Sequence, residues 1–321
     1  MLQADTESPV AVCILDSGTP ASRGRIVVVH ASLPSSALRA YTVPFLLADT
    51  IKGRLPPISV RAIFSLWPIL LIVFGAGSVA QANPDGYTLL IVSANYTVRA
   101  AMYKVPYRPV GDFAPISQLA SVPLLLVVHP SLPVKSVSEL VTYARSNPGK
   151  LNYSSPGNGS LVHLAGELFK STSNVEMVHV AYKGVAAAFT DLLAGQIQLT
   201  FTGILTARPH IKAGRLRGLA VTSLERAKAA PDYPTMMELG VEKFEATQWH
   251  GLLAPKGTPE PILNRLNKEI VSILRQPEVA TQMVNGATEP VGSSRKAFAA
   301  FIRSDYEKWQ RVVKRAGIRG D

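Results

Sequence analysis

From Asp85 to the C-terminus, short apolar runs of strand length alternate with stretches of helical period, and this alternation restricts the chain to an α/β sandwich with a largely parallel sheet. Tyr87–Val92, Leu124–Val128, Ile197–Phe201 and Leu216–Val221 read as buried strands. The helices between them are well punctuated. Ser136 and Glu139 form a capping box ahead of Val137, Leu140, Val141 and Ala144, and Pro148-Gly149 ends that helix. A second helix starts at Thr258-Pro-Glu-Pro261 and buries Ile262, Leu263, Leu266, Ile270 and Leu274. A last one, Arg295–Arg315, carries Phe298, Phe301, Ile302, Trp309, Val312 and Val313 on one side. With 321 residues, 47% hydrophobic and 17% charged, the chain can build two cores and is not disordered.

The first quarter breaks the pattern. Residues 1–60 show no sustained helical period and few strand-like runs, so no element is predicted there. The longest apolar run, Ala62–Phe74, follows Arg54 and Arg61 and precedes Ala80-Gln81-Ala82, like a signal peptide with a cleavage site displaced into the chain. Three readings stay open: an export signal over 62–82 behind a start assigned too far upstream, a membrane anchor interrupted by Pro68 and Gly75, or damaged sequence. The domain expectation is an atypical segment 1–75, a discontinuous first lobe of 76–122 plus 247–321, and a second lobe of 123–246.

Chemistry concentrates at two glycine corners. In Tyr153-Ser-Ser-Pro-Gly-Asn-Gly-Ser160, glycines permit a tight turn into a helix capped by Ser160. Unpaired amides and the positive dipole end would converge there on an anion, although an ordinary strand-to-helix turn explains the same residues. The second corner is Tyr182-Lys183-Gly184, between a strand at Val178–Tyr182 and a helix burying Val185, Ala188, Phe189, Leu192 and Leu193. Lys183 either adds positive field or is a solvated loop lysine. The pair suits a carboxylate better than a nucleotide, because Walker A and GxGxxG patterns are missing.

Catalytic and metal patterns are absent from the sequence. Cys13 is the single cysteine, there is no HExxH or GxSxG, and His163, His179, His210 and His250 are scattered. His163 reads first as a helix-packing histidine, and Glu167, Asp191, Glu238 and Glu269 as solvent-facing or capping acids. No enzyme, catalytic residue, cofactor or metal is expected. The net charge of +11 is dispersed without a nucleic-acid motif, so attraction of small anions explains it better.

The ordered segments PDGYTLL (84–90), PVGDFAPI (109–116), PSLPVKSVSEL (130–140), PGKLNYSSPGNGSLVHLAGELFK (148–170), HVAYKG (179–184), DLLAGQI (191–197) and GLLAPKGTPEPILNRLN (251–267) identify a resemblance. From Pro84 onward the chain resembles the tripartite tricarboxylate transporter receptors, the TctC-like or Bug extracytoplasmic solute-binding proteins. The resemblance implies a type II periplasmic-binding-protein fold, two α/β lobes with a hinge, closing on a small carboxylate solute. It implies a periplasmic location, membrane permease subunits of the transporter as partners, and a monomer. It also implies ligand contacts from Ser155, Gly159 and Ser160 in one loop, Tyr182, Lys183, Gly184 and Ala187 in the next, and Ser93 and Asn95 from the other lobe. The chain departs from the family where a Gly-rich loop should follow Val43-Pro-Phe45. The first lobe is therefore expected to be incomplete, and a degenerate receptor with weakened binding is the alternative reading. Two lost charge-assisted hydrogen bonds at about 1.5–3 kcal/mol each would weaken affinity by roughly 10²–10⁴.

Overall fold

Runs rich in Val, Leu and Ile become strands, and the capped segments between them become helices. The computed structural model describes residues 10–16, 25–29 and 59–65 as backbone and residues 75–318 in full. The strands are β1 (Val10–Asp16), β2 (Arg25–Val29), β3 (Ser59–Ser65), β4 (Thr88–Ser93), β5 (Phe113–Val122), β6 (Leu124–Val128), β7 (Asn152–Ser155), β8 (Val178–Ala181), β9 (Leu199–Gly203), β10 (Arg217–Val221), β11 (Gln248–Pro255) and β12 (Glu289–Pro290). Residues 75–80 are helical, and the helices that follow are α1 (Asn95–Met102), α2 (Val137–Ser146), α3 (Leu161–Ser173), α4 (Val185–Leu193), α5 (Ile204–Lys212), α6 (Glu260–Leu274), α7 (Pro277–Asn285) and α8 (Arg295–Ala316).

By contact the chain divides into two units. Among the described residues, the first takes those up to Ser121 with Trp249–Gly286 and Pro290–Glu307; the second takes Val122–Gln248, Ala287–Glu289 and the chain from Lys308. The division falls inside α8, a helix that the sequence reading keeps in one lobe. On the second unit's side of that division, Lys308 Nζ donates to the Glu245 carbonyl at 3.1 Å.

The first unit holds a seven-stranded sheet in the order β12-β5-β11-β4-β2-β1-β3. Leu89, Ile91, Ile116, Leu119 and Leu252 from its strands pack on Leu263, Ile270, Ile273 and Leu274 of α6 and on Met283 of α7. Elsewhere in this unit the Asp305 carboxylate is buried and accepts from Thr97 Oγ1 at 2.6 Å and Trp249 Nε1 at 3.1 Å. Strands β1, β2 and β3 correct the expectation that residues 1–60 form no element: β2 pairs in parallel with β4, and β1 pairs antiparallel with both β2 and β3. The start of the apolar run, Ala62–Ser65, belongs to β3. Residues 66–74, Val43–Phe45 and the site of the expected Gly-rich loop lie outside the described residues. Among the described residues no helix is long and apolar enough to cross a membrane.

The second unit holds a five-stranded sheet in the order β10-β6-β9-β7-β8. β7 runs parallel to β8 and β9, whereas β6 runs antiparallel to β9 and β10. Four strands thus share one direction and β6 alone opposes them, so the sheet is mixed where a largely parallel one is expected. The exception is the strand that follows β5 after the single residue Pro123, with no helical crossover to set its direction. The four co-directional strands are linked by α3, α4 and α5, and this brings the carboxyl ends of β7, β8 and β9 to one edge.

Candidate functional site

The carboxyl-end edge of an open α/β sheet is where ligand sites form, because helix N-termini gather there. In the second unit β7 ends at Ser155 and β8 at Ala181, side by side, with Ser155 opposite Ala181 in the register. The two corners beyond them are tied together: the Tyr182 amide donates to the Ser155 carbonyl at 2.9 Å, and the Gly184 amide to the Pro156 carbonyl at 3.2 Å.

The first corner is built around the Gly157 carbonyl. It accepts from Ser155 Oγ at 2.9 Å, from Ser160 Oγ at 2.8 Å and from the Ser160 amide at 3.3 Å. Gly159 turns at φ +70°, a left-handed conformation that a Cβ would strain. Ser160 caps α3, its hydroxyl accepting from the His163 amide at 3.2 Å. Helix geometry leaves the amides of Leu161 and Val162 without an intrahelical acceptor.

Gly184, at φ +108°, opens α4 without a side-chain cap. The first turn of that helix, Val185, Ala186 and Ala187, is exposed, and helix geometry leaves its amides without an intrahelical acceptor. Val185, expected on the buried face, is 43% exposed. Burial of that helix starts at Ala188 and Phe189.

Of the residues expected at the site, the structure brings together Ser155, Gly159, Ser160, Tyr182, Lys183, Gly184 and Ala187 on these two corners. They differ in what they offer. The Ser155 hydroxyl is buried and engaged with Gly157 and with His179 Nε2 at 2.6 Å, so it braces the loop from inside. The Tyr182 hydroxyl donates to Asp191 Oδ2 at 2.6 Å and thereby fastens the corner to α4. Burial and that hydrogen bond push the phenol up to about 12. Lys183 is exposed. Ser93 and Asn95 belong to the first unit: Ser93 is buried at the end of β4 opposite His250, and Asn95 opens α1 part-buried.

Sequence reading missed the polar cluster under the first corner. His163 and His179 stack with centroids 3.7 Å apart and planes 8° off parallel, and Tyr153 tilts against His179 at 4.9 Å. Glu167, expected to face solvent, is buried; it accepts from Tyr153 Oη at 2.7 Å and pairs with Lys170 at 2.9 Å. The signal lay in spacing. His163 and Glu167 sit four apart on one helix face, and Tyr153 faces His179 across the parallel pair β7–β8. Burial lowers the His163 pKa. Burial, with repulsion from His163 and Lys170, pushes His179 down to about 3. Both rings are therefore neutral near pH 7. Among the described residues no group of three or more His, Cys, Asp or Glu could hold a metal ion.

A family model for the tripartite tricarboxylate transporter family receptor matches residues 72–318. Among curated relatives, a UPF0065 protein from the tcbD-tcbE intergenic region of Pseudomonas sp. strain P51 is 37% identical over 243 residues, 75% of this chain and 72% of that protein. Among solved structures, R. palustris Rpa4515 with adipate superposes with a TM-score of 0.70 at 30% identity, covering 94% of this chain and 99% of that one. MatC from Rhodopseudomonas palustris with bound malate gives 0.67 at 28% identity, covering 92% of this chain and 100% of that one.

Proposed function

The chain belongs to the tripartite tricarboxylate transporter receptor family, and on that premise we propose that it is a periplasmic receptor that captures a small carboxylate solute, as a monomer, for the membrane permease subunits of such a transporter. The observation that carries the reading is the pair of adjoining glycine corners, each opening a helix whose first amides lack an intrahelical acceptor. An ionised carboxylate has two oxygens and no hydrogen to donate, which suits a site made of N–H groups and a dipole end. Relatives of the same fold carry adipate and malate, and acids of that class are the first candidates here. Gly159, Ser160, Gly184 and Ala187 supply or shape the amides, Ser155 and Tyr182 brace the corners, and Lys183 adds charge. Ser93 and Asn95 of the first unit are further proposed contacts.

Thermal unfolding over a panel of di- and tricarboxylates, amino acids and aromatic acids tests this. An acid present at about 100 times its Kd adds about 2.7 kcal/mol to stability. Silence across the whole panel would favour the degenerate receptor. In that case, inserting a Gly-rich loop after Phe45 should restore binding.

A further inference from the structure

Resting on the receptor reading, we propose that His163 is the positioning residue of the carboxylate corner: its unprotonated Nδ1 holds the Gly159 amide and so sets the helix start that meets the ligand, with His179 stacked behind it as the second grip.

The hydrogen-bond pattern carries this. The Gly159 amide donates to His163 Nδ1 at 3.0 Å, so that nitrogen bears no proton and the ring is the Nε2–H tautomer. His179 Nε2 lies 2.6 Å from Ser155 Oγ, which binds Gly157. One nitrogen from each ring is thus spent on the loop, at Ser155 and at Gly159, and the stacking fixes the two rings relative to each other. A histidine pair serving only the core would not need both grips on one glycine turn. The groups facing the pair are Tyr153 from β7 and Glu167 and Lys170 from α3; Glu167 is already engaged by Tyr153 and Lys170.

Protonation of His163 places a hydrogen on Nδ1 against the Gly159 N–H. The bond is replaced by a donor–donor clash, and the corner loses its shape. Two effects of the same proton have opposite signs. A positive ring near an anion would tighten binding as pH falls; loss of the grip weakens it. The direction of the pH profile therefore separates positioning from simple attraction.

The test uses the full chain, with adipate and malate as probes, titrated calorimetrically from about pH 8 to about pH 5. Three proteins are compared: the wild type, His163→Asn, whose amide oxygen can replace Nδ1 without titrating, and His163→Leu. At the upper pH, His163→Asn should bind close to wild type, and His163→Leu about tenfold more weakly for the lost hydrogen bond. As pH falls, wild-type affinity should drop relative to that of His163→Asn, a ratio that cancels ionisation of the acid itself. A wild-type affinity that rises relative to His163→Asn overturns the proposal, as does one that stays level over a range in which nitrogen NMR shows His163 taking up its proton, and as does a His163→Leu variant that binds like wild type. Should His163→Leu fail to fold, nitrogen NMR of the wild type without ligand still decides: an Nε2–H ring whose titration moves the Gly159 amide supports the grip, and an Nδ1–H ring refutes it. That measurement needs no ligand, so failure of every acid to bind would count against the receptor reading and be told apart from failure of the grip.

Discussion

Single atoms decide the two corners. Ser160 terminates α3 with one hydrogen bond to the His163 amide and with another braces Gly157. Ser160→Ala should therefore cost about 1 kcal/mol, read from the denaturant midpoint, and weaken carboxylate binding with it. Gly184→Ala forces a Cβ onto φ +108° and should cost about 1–3 kcal/mol by the same measurement. The histidine pair gives a signed pH effect. Unfolded histidine takes up a proton near pH 6.5, whereas folded His179 resists until about 3 and His163 is likewise lowered. The unfolded state gains protons first, so stability should fall as pH drops below about 6.5, by no more than about 2 kcal/mol per histidine at pH 5. His179→Phe keeps an aromatic face and removes the titration; its stability should depend less on pH over that range. An unchanged slope would place the effect elsewhere.

At the scale of elements, legibility followed how local the cause is. Leu124–Val128 is uniformly buried, and its apolar run marks it as a strand without outside information. Ser136 and Glu139 announce α2 because a capping box is a contact within four residues. The direction of β6 was not legible, since it depends on pairing with β9 and β10, strands more than seventy residues later. The burial of Glu167 was hidden for the same reason: Tyr153 becomes its partner only after β7 and α3 have packed. Gly166 marks that packing, since a Cβ there would lie 2.1 Å from the Tyr153 ring. Gly166→Ala should separate α3 from β7 and destabilise the unit by about 1–3 kcal/mol, with a loss of near-ultraviolet tyrosine dichroism. The corners themselves were readable as glycine turns, but the stacked histidine pair beneath them was not, because it joins residues sixteen apart across two elements.

For the whole molecule, a net charge of +11 gives a field that draws anions in, and this effect is kinetic more than thermodynamic. Association of a dicarboxylate should slow as ionic strength rises past the point where the Debye length is about 10 Å, with dissociation changing much less. Within that field, the bare amides at two helix starts are the groups proposed to hold the acid. Amide NMR during titration with the tightest acid of the panel measures that directly. The signals of Leu161, Val162, Val185, Ala186 and Ala187 should move furthest and saturate together. Saturable binding that leaves all five unmoved would contradict it.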